Sequence, residues 1–174
     1  MQEYIFPFKP GDKVLEVGGG DRPQFRPNLD CRQLPTVDIV ADLNEPWPVE
    51  SEAYDGVFGM YIIEHVSWRR VRQFIAEGNR VLRLGGVAVM ITANLLEQAR
   101  KLVEMPEWSD QLVCMIFGDN DYPENTHRCG FSPQYAIKLF REAGFHDVTI
   151  FEHPNCKTDM IIEARTGAKI ERDL

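Results

Sequence analysis

No apolar run in the 174-residue chain approaches the ~20 residues that a bilayer-spanning helix needs, so no such helix is expected. Residues 1–13 lack the basic start and apolar stretch of a secretory signal, and the expected compartment is the cytoplasm. No two of the four cysteines, Cys31, Cys114, Cys129 and Cys156, stand at C-x-x-C or zinc-ligand spacing. Four reduced thiols and no metal site are therefore expected. Basic residues are also in short supply: 19 Lys and Arg against 27 Asp and Glu, a formal net charge of −8. That balance argues against a nucleic-acid partner, because binding a phosphate backbone depends on clustered cations. Arg69, Arg70, Arg72, Arg80 and Arg83 are near one another in sequence, but they scatter around a helix and are expected on its solvated face. Repeats, low-complexity tracts and long linkers are missing too. One domain over residues 1–174 is expected, long enough to bury a core without staples.

What the chain does have is an alternation of strand and helix patterns. Residues 13–17 read as a strand running into three glycines, and a second short strand ends near Asp30. The β-branched run 37–41 and the segment 55–60 are two more. A helix follows, with Ser67 as N-cap and Gly85 as its stop; Val71, Phe74, Ile75, Gly78, Val81 and Leu82 share one face. Residues 86–91 form an apolar strand. Shorter helices are expected over 95–103 behind Asn94 and 110–117 behind Ser109, then a polar loop over 118–130. Ser132-Pro133 opens a last helix that Gly144 ends, and strands at 148–151 and 160–164 close the pattern. This order predicts an α/β, Rossmann-like fold: a mostly parallel sheet with helices on both faces and an antiparallel strand at or near one edge. Ligands of such sheets bind at the carboxyl ends of the strands.

The chemistry is expected at Val14-Leu15-Glu16-Val17-Gly18-Gly19-Gly20-Asp21. A glycine turn lets backbone amides approach a ligand, since no Cβ intervenes. A dinucleotide fingerprint would need a third glycine where Pro23 stands, and Asp21 would set a carboxylate beside a pyrophosphate. S-adenosylmethionine carries no phosphate, and its sulfonium and amino group suit Glu16 and Asp21. Asp30, with Cys31 beside it, could accept from ribose hydroxyls; Asp42 could meet the adenine amino group, with Leu43 beside the ring. Taken singly, each acid reads equally well as a cap or loop residue.

These residues are similar to the first motif of the class I S-adenosylmethionine-dependent methyltransferases, and Val37-Asp38-Ile39-Val40-Ala41-Asp42-Leu43 resembles their acidic motif. The segment from Tyr54 through Ile63-Glu64-His65-Val66 resembles their fourth strand and the Glu-His that follows it. Arg80-Val81-Leu82-Arg83-Leu84-Gly85-Gly86 and Phe140-Arg141-Glu142-Ala143-Gly144-Phe145 resemble two later turns, so the likeness runs over about residues 14–164. It implies a seven-stranded sheet with the last strand inserted antiparallel. It also implies S-adenosyl-L-methionine as cofactor, with S-adenosyl-L-homocysteine as product. Cofactor contacts are expected from Glu16, Gly18, Gly19, Gly20, Asp21, Asp30, Cys31, Asp42 and Leu43, with Met60 and Tyr61 bordering cofactor and substrate.

Pro23, Pro27 and Pro35 make full helices after the first two strands implausible. By resemblance this matches a compact subgroup linked to sugar or cell-surface polymer biosynthesis, so a small molecule or glycan precursor is the expected substrate. The short connections would leave one sheet face partly bare, which favours a homodimer. The alternative is a cofactor-binding module without transfer activity that works through a partner protein. Methyl transfer needs alignment above all, and a base only where the acceptor must lose a proton. His127, inside the polar loop, and His65, after the fourth strand, are the catalytic candidates; either could instead pin the loop or pack a helix. Tyr61 and Tyr122 are weaker candidates. Trp47, Trp68 and Trp108 read as core or rim aromatics, with Trp108 also a candidate pocket wall. His146 and His153 read as surface residues. The insertion at about 95–130 is expected to form a lid over the substrate, its apolar residues Leu102, Val103, Leu112, Val113, Ile116 and Phe117 covering the site or packing on the sheet. The tetrapeptide Gly59-Met60-Tyr61-Ile62 is not of the N-P-P-Y type, which weakens the case for methylation of nucleobase or glutamine amino groups.

Overall fold

The structure is a computed structural model that describes residues 4–105, 107 and 110–167. Seven strands form one sheet: β1 (Val14–Val17), β2 (Asn28–Asp30), β3 (Ile39–Val40), β4 (Tyr54–Met60), β5 (Leu82–Ala93), β6 (Phe145–Glu152) and β7 (Asp159–Thr166). Their order is β3-β2-β1-β4-β5-β7-β6. β1 to β5 pair in parallel, whereas β7 runs antiparallel to both β5 and β6. β1 lies third in this order, with β2 and β3 on one side and β4 to β7 on the other, so its carboxyl end opens where the chain turns first to one side of the sheet and then to the other.

Strand alternation divides the core in two. Leu15, Val17, Val57, Ala88, Met90 and Ile162 face helices α1 (Val71–Val81) and α4 (Pro133–Glu142). α1 buries Val71, Phe74, Ile75, Gly78 and Val81, the face its spacing predicts. Ser67 starts its turn, its carbonyl accepting from Arg70 and Val71, but the helix proper begins at Val71. It ends at Val81, ahead of Gly85, which turns the chain at φ +76° inside the β5 segment. α4 starts as its sequence indicates, with the Ser132 hydroxyl accepting from the Tyr135 N–H at 3.3 Å.

On the opposite face Val14, Phe58, Val87, Val89, Ile91 and Ile161 are buried under Tyr4, Phe6, Phe8 and Phe25. The rings of Phe6 and Phe25 meet Phe58 at centroid distances of 5.3 and 5.2 Å, edge to face. No α-helix joins β1 to β2 or β2 to β3, as the prolines require, and this aromatic layer covers the patch that those short connections would leave bare.

Arg80 departs from the solvated face expected of its cluster. Its guanidinium donates to the carbonyls of Val49 and Trp47 and to Glu77, because its turn of α1 faces loop 46–53. Trp47 is buried against Phe74, while Trp68 is exposed. Beyond β5, helices α2 (Leu95–Glu104) and α3 (Asp110–Phe117) pack on each other. Trp108 and Ser109, the expected pocket wall and N-cap, lie outside the described residues. Leu112 is buried, but Val103, Val113 and Phe117 are exposed, so these three do not pack on the sheet. No helix among the described residues is long and apolar enough to cross a membrane.

Candidate active site

β1 delivers the chain into Gly18 and Gly20, at φ +72° and +55°, values that favour glycine. Buried polar side chains hold this turn from behind. The Glu16 carboxylate accepts the N–H groups of Gln24 and Phe25, both at 2.6 Å. Gly19 N–H donates to Asn28 Oδ1, and Gly20 N–H to Asp30 Oδ2, each at 3.0 Å. Asp30 Oδ1 accepts from the backbone and the guanidinium of Arg32. Glu16 and Asp30, expected to touch the cofactor, therefore serve in this structure as anchors of the turn: a carboxylate buried beside unpaired loop amides bonds them first. Burial pushes the Glu16 carboxyl up, against the two loop amides that lower it.

The space above the glycines is taken by protein. A Cβ on Gly18 would collide with the Ile62 side chain, and one on Gly20 would lie 2.5 Å from the Arg32 guanidinium. That guanidinium stands 5.2 Å from the centre of the Tyr122 ring, tying the loop over 118–130 to the turn. Asp21 is exposed beside Arg22, and the Met60 sulfur faces Gln24 at 3.6 Å. Neither side chain lines a cavity described below, because Asp21 leaves the turn toward solvent and Met60 falls on the aromatic-covered side of β4.

Two cavities lie beyond the turn, and neither is lined by Gly18, Gly19 or Gly20. One, of about 450 Å³, is lined by Cys31, Asp42, Leu43, Ile62, His65 and Arg128, among others. Asp42 Oδ1 accepts from the Asn44 backbone and side chain, which fixes the bend after β3, and Leu43 between them is buried in the core. The other, of about 480 Å³, lies between Tyr61, Glu64, His65, His127, Asp119 and Asp159, with α2 and α3 alongside. Both volumes suit a small-molecule site.

His65 lines both cavities. It ends a single 3-10 turn, Ile63–His65, directly after β4. The Glu64 carbonyl accepts the N–H groups of Arg128 and Cys129 at 2.8 and 3.1 Å, and this stitch sets His127 against His65 with ring centres 4.9 Å apart. His65 Nδ1 lies 3.2 Å from the Thr126 carbonyl and donates to it. Burial lowers the pKa of both histidines, so both rings are neutral near pH 7. Tyr61 holds φ +51°, and its hydroxyl donates to Asp159 Oδ2 at 2.7 Å. Among the described residues no group of three His, Cys, Asp or Glu gathers as metal ligands would.

A family model described as a methyltransferase domain matches residues 22–90. An S-adenosylmethionine-dependent methyltransferase of Thermotoga maritima superposes with a TM-score of 0.62 at 16% identity, over 91% of this chain and 84% of that one. Another, from Mesorhizobium loti, gives 0.62 at 14%, over 89% and 91%. The Burkholderia thailandensis 1,6-didemethyltoxoflavin-N1-methyltransferase, solved with 1,6-didemethyltoxoflavin and S-adenosylhomocysteine, gives 0.59 at 14%, over 90% and 71%. No curated protein sequence matches. The chain has the class I methyltransferase fold.

S-adenosylmethionine is the cofactor expected from the sequence, and the Burkholderia enzyme of the same fold was solved with S-adenosylhomocysteine. Of the residues expected to hold it, this methyltransferase fold brings Cys31, Asp42 and Leu43 to one cavity and Tyr61 to the other, with His65 between and His127 beside it. The chemistry of the first cavity fits an adenosyl group: an apolar floor for the ring and a carboxylate for its amino group. Glu64 was not legible as a site residue. It is 2% exposed, accepts from the Thr92 hydroxyl at 2.9 Å, and burial pushes its carboxyl up to about 7. The signal for it was an acid placed directly after two isoleucines, where an apolar residue would be expected.

Proposed function

We propose that the protein transfers a methyl group from S-adenosylmethionine to a small-molecule acceptor, glycan precursors included. The observation that carries this reading is the pair of cavities sharing His65, one with an apolar floor and a strand-end acid, the other with convergent polar groups. Asp42 and Leu43 hold the adenine, and the glycine turn, its amides fixed from behind, carries the rest of the adenosyl unit. Ile62 and Arg32, now over the glycines, shift to admit it. When bound, the cofactor supplies an electrophilic methyl group on a sulfonium.

The chain's own task is alignment and exclusion of water. The segment at about 95–130 covers the second cavity and selects the acceptor. His127, neutral at physiological pH, takes a proton from the acceptor where one must leave, and His65 orients the His127 ring. Calorimetric titration with S-adenosylmethionine, S-adenosylhomocysteine and NAD tests the reading. The expected result is binding of the first two and none of NAD. Absence of binding by either of the first two would overturn it.

A further inference from the structure

The second cavity carries an unbalanced set of charges. Asp119 and Asp159 line it on the acidic side and Lys101 on the basic side, with His65 and His127 both neutral and the Glu64 carboxyl pushed up to about 7 by burial. Asp159 Oδ2 accepts from Tyr61, while Oδ1 makes no hydrogen bond among the described residues. Tyr61 also lines this wall, 42% exposed and with a left-handed backbone. A carboxylate beside a phenol ring is a pairing that receives a cation: the acid neutralises it and the ring face attracts it.

We propose, resting on the methyltransferase reading above, that the acceptor is a cationic amine held between Asp159 and the Tyr61 ring. Acceptor classes separate by what the wall does to them. A carboxylate or phosphate substrate is repelled by the acids. A phenol or alcohol must develop negative charge on oxygen as its proton leaves, and carboxylates oppose that. An amine moves the other way. The ammonium gives one proton to the neutral His127 ring, its freed lone pair attacks the methyl carbon, and the C–S bond electrons pass to sulfur. Positive charge then grows on nitrogen in the transition state, where Asp159 stabilises it.

The test uses purified protein, first titrated with S-adenosylhomocysteine and then, saturated with it, with matched probes: phenethylamine against 3-phenylpropanoate, and cadaverine against glutarate. The expected result is that at least one amine binds tenfold or more tightly than its matched acid. Asp159→Asn, and separately Asp119→Asn as a second variant, shrinks that preference while leaving affinity for S-adenosylhomocysteine and the melting temperature unchanged. Equal binding of amine and acid, preference for the acid, or no binding of either amine overturns the inference and leaves the cofactor reading intact. Failure to bind S-adenosylhomocysteine in the first step defeats the cofactor reading and this inference with it.

Discussion

The substitution Glu64→Gln isolates the ionisation of one buried acid. Burial, opposed by bonds from Thr92 and from the backbone of Glu64 and Ala93, lifts its carboxyl from 4.5 to about 7. Below the lower value the group is protonated in folded and unfolded chains alike. As pH rises through the interval, the unfolded chain ionises freely while the folded chain keeps its proton, so stability falls until the folded group ionises too. At ~1.36 kcal/mol per pKa unit, the loss accumulates to about 3 kcal/mol by about pH 8. The amide of the variant cannot titrate, and its oxygen can still accept from Thr92. Urea unfolding of both proteins across this range should show the difference between them growing by about 3 kcal/mol in favour of the variant. His65 and His127 have lowered pKa values and act in the opposite sense, losing stability as pH falls, but both proteins contain them and the subtraction removes them. A difference that stays flat with pH would refute the buried, protonated Glu64.

Gly18→Ala places a Cβ against Ile62 at positive φ and should cost roughly 2–4 kcal/mol by denaturant unfolding; a cost below ~1 kcal/mol would mean that the turn yields easily. Arg80→Ala removes the donors to Val49 and Trp47 and leaves Glu77 with the Trp47 N–H alone, so a loss of about 2 kcal/mol is expected. Arg83→Ala, which breaks a more exposed pair with Asp55, should cost under ~1 kcal/mol in the same assay. Asp42→Ala should weaken S-adenosylmethionine binding about tenfold, ~1.4 kcal/mol, with thermal unfolding unchanged; unaltered affinity would move the adenine elsewhere.

Strand and helix order was readable because each element has its own periodicity: Val71, Phe74, Ile75 and Gly78 repeat at helical spacing, and Pro23, Pro27 and Pro35 forbid helices where none stands. Sequence placed His65 after the fourth strand and His127 in the polar loop, but not their rings against each other. What sequence could not settle was the direction of side chains at strand ends. Glu16 and Asp30 occupy the positions of ligand contacts, yet their oxygens bond loop amides eight to ten residues away or less, a competition decided by the path of a proline-shortened loop. Arg80 misled for a similar reason. Its position on the helix surface was evident, but the carbonyls it meets belong to a loop some thirty residues earlier. The aromatic layer was not legible although Tyr4, Phe6 and Phe8 alternate, since they precede the first strand in a segment that is not itself a strand of the sheet.

That layer has a bearing on durability. Part of one sheet face is shielded by the segment over residues 4–8, through rings on alternating residues and a Tyr4 hydroxyl bonded to Glu163 at 3.1 Å. This strap joins the first strand through the turn over residues 9–12, where the Lys9 N–H donates to Asp12. One proteolytic cut in that turn would uncouple the strap from β1 and weaken its hold over Phe58, Val89 and Ile161 together. The lifetime of the protein in a protease-containing environment thus depends on a few peptide bonds outside the residues that line the two cavities.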